Sequence, residues 1–154
     1  MRLAESLLLA AALSCATAQA QSNCREVSGG IVTNFVDSSD TLTLGSATGD
    51  LAGGLGVQVI LQQAGPGGTI VITVQHHWVT VTGDTVSLDH AVVTLFPTSV
   101  PGFYAASYLD GVNLNKNGTG RLAGATGKLY AWGAGDLIKG QIVLRYYGTV
   151  CHED

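Results

Sequence analysis

The sequence predicts a single all-β domain. Short runs rich in β-branched residues alternate with turns of Gly, Asn and Asp, which is the pattern of strands joined by tight loops. After the first twenty residues, no segment shows the apolar period of a helix. The candidate strands are residues 30–36, 40–48, 54–62, 69–80, 85–96, 102–109, 127–132 and 141–150. Seven or eight strands in one domain indicate a sandwich or a barrel.

The first twenty residues have the order of a secretory signal peptide. Arg2 precedes a short apolar run, residues 3–13, and Ala18-Gln19-Ala20 is a small-residue cleavage site. A lipoprotein signal at Cys15 is the alternative, but the residue three places before it, Ala12, is not a large aliphatic one. We therefore predict a signal peptide over 1–20, one barrel or sandwich domain over 21–154, secretion, and no membrane span.

Charge is sparse in this chain. Only 12% of its residues are charged, the net charge is −4, and the basic residues are scattered. This composition argues against nucleic acid and anionic membranes as partners, because both require a basic patch. The expected partner is a neutral, apolar small molecule. Apolar residues on both faces of strands such as residues 144–147 also allow a homodimer or a homotrimer.

Two cysteines remain after the predicted cleavage, Cys24 and Cys151. A pair placed near both ends of a secreted domain predicts a disulfide, with two free thiols as the alternative. Asn117-Gly118-Thr119 is a sequon for N-glycosylation in a polar turn, so we expect Asn117 to be modified if the chain follows a eukaryotic secretory route.

Residues 69–96 are predicted to form a hairpin. The even-numbered side chains are the more apolar in both strands, so the even faces should point inward together. A three-residue loop centred on Gly83 satisfies this requirement. It places Trp78 opposite Leu88 and Val74 opposite Val92, with Phe96 on the inward face. It also places His76 opposite His90.

The facing histidines are the first candidates for chemistry. They can bind a metal, transfer a proton, or donate a hydrogen bond to a ligand, and the alternative is two core histidines satisfied by backbone or water. Zinc needs three or four ligands, and a third would have to come from Asp89, Asp110 or His77. We predict no metal and no cofactor.

Aromatic residues cluster in the second half of the chain. Tyr104, Tyr108 and Asp110 share one parity, which would aim two phenols into a cavity with Asp110 at its rim. The alternative is that the aromatics only fill the barrel or cover its outside. The full set of expected substrate-binding residues is Trp78, Phe96, Tyr104, Asp110, Tyr130, Trp132 and Tyr146. The sequence has neither a nucleophile elbow nor a phosphate-binding loop, so hydrolysis has little support.

Three segments resemble the allene oxide cyclase and dirigent barrel superfamily. They are the glycine-rich stretch 118–129 (GTGRLAGATGKL), the late strand 147–151 (YGTVC) and the stretch 47–53 (ATGDLAG). The resemblance implies an antiparallel closed barrel of about eight strands with an apolar cavity. The catalytic acid of the plant cyclases and the acidic set of the dirigents have no assigned counterpart here, so neither activity is transferred.

Secreted fungal barrels of this superfamily include cyclases that perform hetero-Diels–Alder cycloadditions in terpenoid and polyketide pathways. The resemblance therefore implies a cofactor-independent cyclase of secondary metabolism that guides a neutral apolar substrate to one product. His76, His90 and Tyr108 are the expected catalytic residues. The alternative is a secreted binding or cell-surface protein on the same barrel, without catalysis. A metalloenzyme using the histidines is a third possibility.

Overall fold

Ten β-strands make up most of residues 23–36 and 41–152, the part of the chain that this computed structural model describes. The strands are β1 (Asn23–Phe35), β2 (Leu42–Ala47), β3 (Gly53–Ala64), β4 (Ile70–Thr80), β5 (Thr85–Val86), β6 (Ala91–Pro97), β7 (Phe103–Ser107), β8 (Val112–Asn113), β9 (Thr126–Asp136) and β10 (Gln141–His152). Two single-turn 3-10 helices are Pro66–Gly68 and Gly120–Leu122. The predicted signal peptide lies outside the described residues. Within the described ranges, no helix has the length and hydropathy of a membrane span.

Eight of these strands close into an antiparallel barrel, which confirms the predicted fold. The order around the ring is β1, β2, β3, β4, β6, β7, β9 and β10, and β10 returns to pair with β1. The two shortest strands lie outside this ring, where β5 pairs with β4 and β8 pairs with β9. A bridge between Leu88 and Leu114 joins the segments that follow these short strands. Closure pairs the first strand with the last, so the barrel resists edge-to-edge aggregation.

The predicted disulfide is confirmed. Cys24 on β1 and Cys151 on β10 are directly opposed in the sheet and are bonded to each other. They are separated by 127 residues, so the bond closes almost the whole described chain into one loop. Such a bond restricts the unfolded chain most strongly when the loop is long.

The predicted register of the 69–96 hairpin is wrong, and the error has a local cause. The loop has three residues as expected, but it is centred on Thr82, because the Thr80 amide donates to the Asp84 carbonyl over 2.8 Å. Trp78 therefore pairs with Val86, and Val74 pairs with Ala91. Between these two pairs β4 advances by four residues, from Trp78 to Val74, whereas the opposing segment advances by five, from Val86 to Ala91. The opposing segment therefore carries one extra residue, which forms a bulge.

The bulge reverses the inward face of the second strand. Before it, Val86 and Leu88 are buried. After it, the odd residues Ala91, Val93 and Leu95 are buried. A shift of one residue exchanges the two faces of a strand, so Val92 and Phe96 point outward. His90 lies in the bulged segment, is exposed, and does not face His76.

The two ends of the barrel differ. The closed end comprises the loops 48–52, 81–84 and 114–125, and buried apolar side chains such as Leu51, Leu122 and Val150 fill it. At that end Gly49 has a φ of +85°, and a Cβ there would lie 2.2 Å from the Ser28 carbonyl oxygen. The open end comprises the loops 65–69, 98–102 and 137–140. Two of its apolar side chains, Val100 and Ile138, are 57% and 76% exposed.

Candidate functional site

A cavity of about 210 Å³ occupies the barrel between its middle and the open end. A cavity of about 150 Å³ holds a benzene molecule, so this one has room for a two-ring compound. Among the residues that the structure describes, no Asp, Glu, Lys or Arg lines it. The apolar side chains of the wall come from the inward faces of the ring strands and include Ile31, Leu55, Val57, Val59, Ile72, Val74, Val93, Leu95, Ala106, Ala131, Ile142 and Leu144. Such a wall favours an uncharged, largely apolar ligand.

His76 and Tyr108 form the polar centre of this wall. His76 Nε2 lies 3.2 Å from the Tyr108 hydroxyl, and the two ring centroids are 5.7 Å apart. His76 points inward from β4. Tyr108 directly follows β7 and continues the inward parity of Ala106. Its backbone amide donates to the Ala131 carbonyl over 2.9 Å, which holds the phenol in place.

Burial keeps this pair uncharged. Loss of solvent lowers the pKa of His76 to about 4, and the nearby His77 adds a smaller lowering. The same loss of solvent raises the pKa of the Tyr108 phenol far above its usual value. Both groups are therefore neutral at physiological pH. They can exchange hydrogen bonds with a ligand, but they do not offer it a fixed charge.

A neutral imidazole has one donor nitrogen and one acceptor nitrogen. If the Tyr108 hydroxyl donates to Nε2, then Nδ1 carries the proton and the Tyr108 proton is used within the pair. If Nε2 donates to the Tyr108 oxygen, Nδ1 is an acceptor. In the second arrangement the Tyr108 O–H is free to donate a hydrogen bond to a carbonyl of a ligand.

Two buried polar atoms of the wall have no hydrogen-bond partner among the described residues: Nδ1 of His76 and Oγ1 of Thr43. Thr43 is 3% exposed and His76 is 9% exposed, so water outside the barrel does not satisfy them. A buried polar atom without a partner costs roughly 1–3 kcal/mol. Each of these two atoms has less than 1 Å² of accessible surface, so the cost falls on the folded protein itself.

The floor of the cavity is built by Trp78 and Tyr146, whose rings meet edge to face with centroids 5.3 Å apart. Their polar tips are already used by the loop 48–52. Trp78 Nε1 donates to the Leu51 carbonyl, and the Tyr146 hydroxyl accepts from the Leu51 amide and donates to the Thr48 carbonyl, each over 2.9 Å. Both rings face the cavity as apolar surface and have no hydrogen bond to spare for a ligand.

Several expected substrate-binding residues lie elsewhere. Trp132 is 55% exposed and Phe96 is 37% exposed, so both belong to the outside of the barrel. Asp110 is exposed near the closed end. Tyr104 is half-buried and packs against the core, but it does not line the cavity. Tyr130 borders the cavity, while its ring stacks on the Tyr147 ring at a centroid distance of 5.4 Å.

The sequence analysis missed Thr43 and its neighbour Thr33, because strand polarity is inverted there. Thr33 and Thr43 are buried, whereas Val32 and Leu44 are 43% and 48% exposed. Hydropathy alone would turn Leu44 inward. A signal in the sequence could have identified Thr33. Val27 and Ile31 of β1 are buried, so the odd-numbered residues of this strand point inward, and Thr33 is the next of them.

No group of three or more His, Cys, Asp or Glu side chains able to hold a metal occurs within residues 23–36 and 41–152.

Asn117 is exposed at the closed end, and the hydroxyl of Thr119 in the same sequon accepts a hydrogen bond from the Thr85 amide over 2.9 Å. Glycosylation of Asn117 stays a prediction, and so does assembly of the chain into a homodimer or a homotrimer.

Comparison with protein-family models, curated proteins and solved structures finds no match to this chain. The resemblance to allene oxide cyclases and dirigent proteins therefore stays a prediction about ancestry.

Proposed function

We propose that this barrel binds a neutral, largely apolar molecule of about two rings in its interior and guides its cyclisation or cycloaddition. The observation that carries the proposal is the cavity of about 210 Å³, whose described lining residues carry no charge and include one neutral histidine–tyrosine pair. The disulfide suits an oxidising compartment, so we place the activity in the secretory pathway or outside the cell. A glycan on Asn117 at the closed end would leave the open end accessible.

A [4+2] cycloaddition suits this cavity because it needs no external acid, base or oxidant. An α,β-unsaturated carbonyl and an alkene use three π bonds and form two σ bonds and one new π bond, with no proton or leaving group exchanged with the protein. Holding the partners together in reactive geometry contributes up to about 7–11 kcal/mol in ideal cases. A hydrogen bond from the Tyr108 hydroxyl to the carbonyl oxygen, with His76 Nε2–H donating to the phenol oxygen, would stabilise charge that develops there.

The second candidate is a carrier that takes up the same kind of ligand and releases it unchanged. The observation that favours it is that the described residues of the wall include no charged side chain, so chemistry would depend on the neutral His76–Tyr108 pair. The two candidates share the binding step and differ in whether the product changes.

Binding can be read from Trp78, which lies in the cavity floor. The chain has two tryptophans, so Trp132→Phe leaves Trp78 as the single reporter. We expect tetralin, a neutral two-ring hydrocarbon, to change Trp78 emission saturably. Ala106→Leu fills the cavity and should abolish that change, whereas Ala105→Leu on the exposed face should preserve it. Lack of saturable binding by the reporter protein would refute the proposal.

Catalysis is tested with an ortho-quinone methide generated photochemically in the presence of ethyl vinyl ether. The uncatalysed reaction gives a racemic 2-ethoxychroman, so chiral chromatography reports control by the protein directly. We expect an excess of one enantiomer with the unaltered protein and with Ala105→Leu, and a racemate with Ala106→Leu. Tetralin binding together with a racemic product from the unaltered protein would favour the carrier.

A further inference from the structure

Gln62 lines the cavity close to the open end of the barrel, because it lies near the end of β3 that leads into the loop 65–69. Its inward direction is unexpected from the alternation of the strand. Val57 and Val59 line the cavity, and Leu61 is the next residue of that parity. Leu61 is instead 49% exposed and does not line the cavity. The strand thus turns a carboxamide inward where hydropathy alone would place a leucine.

An extra residue in β3 causes this reversal. The pairing of β3 with β4 skips Ile60, so the two faces of β3 exchange at that point. Gln62 consequently lies opposite Ile72, whose side chain also lines the cavity. Regular pairing would place Leu61 opposite Ile72. Bulges are over-represented next to active sites, where they re-aim a side chain, and this one gives Gln62 its place in the wall.

The carboxamide of Gln62 is available to a ligand. Within residues 23–36 and 41–152 it forms no hydrogen bond, and the residue is exposed at the mouth of the cavity, so water solvates it until a ligand enters. A carboxamide is neutral and has both donor and acceptor atoms. It can therefore bind either a hydroxyl or a carbonyl oxygen of an uncharged molecule.

Gln62 and Tyr108 lie at different depths. Gln62 is opposite Ile72, whereas His76, the partner of Tyr108, is four residues further along β4. At about 3.3 Å per residue, the two levels are about 13 Å apart along the strand. A hydrogen bond spans only about 3 Å, so one ligand atom does not serve both levels. Between them the wall is apolar, with side chains such as Val74.

We infer that Gln62 determines specificity by binding a neutral hydroxyl or carbonyl oxygen at the end of the ligand's long axis that faces the open end. The ring system behind this oxygen packs on the apolar wall, and its other end reaches the level of Tyr108. The oxygen at the mouth stays close to water, so binding does not bury it without a partner. This inference rests on the proposed function, since it assigns the ligand class of the same cavity.

Three two-ring ketones test the inference. 2-Tetralone has no hydroxyl, 6-hydroxy-2-tetralone has one at the far end of the long axis, and 5-hydroxy-2-tetralone has one on the long side. Affinity is measured by Trp78 emission in the Trp132→Phe background. One net hydrogen bond is worth about fivefold in affinity. We expect 6-hydroxy-2-tetralone to bind tighter than 2-tetralone by this factor, and 5-hydroxy-2-tetralone to bind no tighter than 2-tetralone.

Gln62→Met and Gln63→Met form a matched pair of variants. Methionine keeps the length of the side chain without its hydrogen-bonding groups, and Gln63 is exposed but does not line the cavity. Gln62→Met should lose the preference for 6-hydroxy-2-tetralone and bind tetralin almost unchanged, whereas Gln63→Met should keep the preference. The exchange Leu61→Gln, Gln62→Leu moves the carboxamide to the outer face at constant composition, and it should also lose the preference.

The two levels of the argument fail in different ways. Binding of 2-tetralone without a preference for 6-hydroxy-2-tetralone would overturn the role of Gln62 and leave the proposed function standing. An equal preference in Gln62→Met and Gln63→Met would do the same. Failure of both tetralin and 2-tetralone to bind would instead remove the proposed function, and the inference with it.

Discussion

His76 Nε2 and the Tyr108 hydroxyl lie 3.2 Å apart inside the barrel, although the two residues belong to β4 and to the turn after β7. Between them in the sheet lies the segment whose bulge turns His90 outward. A regular continuation of the pairing of Trp78 with Val86 would place Leu88 opposite His76, whereas with the bulge the pairing resumes only at Val74 with Ala91. Burial keeps both His76 and Tyr108 neutral, and this determines what the pair can do chemically.

Stability should fall in mild acid because of His76. Its pKa of about 4 lies below the ordinary 6.5, so between these values the unfolded chain binds a proton that the folded chain does not. The free energy of unfolding should thus decrease by about 3 kcal/mol from pH 6.5 to pH 4. Urea unfolding at several pH values measures this slope, and His76→Gln should flatten it.

His77→Gln is the control, because His77 is on the same strand and faces solvent. Its slope should remain close to that of the unaltered protein. Asp84 affects the free energy of unfolding at a lower pH than His76 does. Hydrogen bonds from Thr82 and Arg121 hold its carboxyl pKa below the ordinary 3.8, so its stabilising contribution is present above 3.8 and is lost only in stronger acid. An unchanged slope in His76→Gln would contradict the assignment to His76.

Tyr108→Phe should separate binding from chemistry. The ring remains, so tetralin affinity should stay within about twofold, but His76 Nε2 loses its partner and the phenol proton that would bond to the substrate carbonyl is removed. We expect at least a tenfold loss in the protein-dependent rate of chroman formation, with loss of enantiomeric excess. Tyr104→Phe is the control, because Tyr104 does not line the cavity. Equal losses in both variants would argue against a specific role for Tyr108.

Tyr146→Phe should destabilise the closed end. The Tyr146 hydroxyl bonds to both the Leu51 amide and the Thr48 carbonyl, and its loss leaves these backbone groups without that partner. The free energy of unfolding should decrease by roughly 1–3 kcal/mol. Chemical denaturation measures this difference. Tyr147→Phe, on the exposed face of the same strand, should change it by less than about 0.5 kcal/mol.

Removing the disulfide should weaken the whole fold. Because Cys24 and Cys151 close a loop over 127 residues, the double variant Cys24→Ser, Cys151→Ser should lose about 2–5 kcal/mol of unfolding free energy. Thermal unfolding with and without a reductant gives the same comparison in the unaltered protein. The double variant should be insensitive to reductant. A melting temperature equal to that of the oxidised protein would show that the strand pairing of β1 with β10 suffices.

The prediction succeeded where a local pattern decides the outcome. Runs of β-branched residues between glycine turns identified the strands, because alternation and turn chemistry act over a few residues. His76, Trp78 and Tyr108 were recognised as inward residues from the same alternation. The alternation failed at Phe96, because one extra residue in the bulge reverses the faces that follow. The alternation of apolar and polar residues also gave no reason to expect Thr43, rather than its neighbour Leu44, on the inward face.

The sequence by itself determined an all-β chain with a terminal disulfide and an inward-facing histidine on its longest apolar hairpin. Tertiary structure alone decided which side chains meet around the cavity: His76 with Tyr108, Tyr146 with the loop 48–52, and Thr43 in the same row as His76. The physical reason is that ring closure fixes register between strands distant in the chain. A shift of one residue, which costs little in local propensity, exchanges the wall of the cavity for the surface of the barrel.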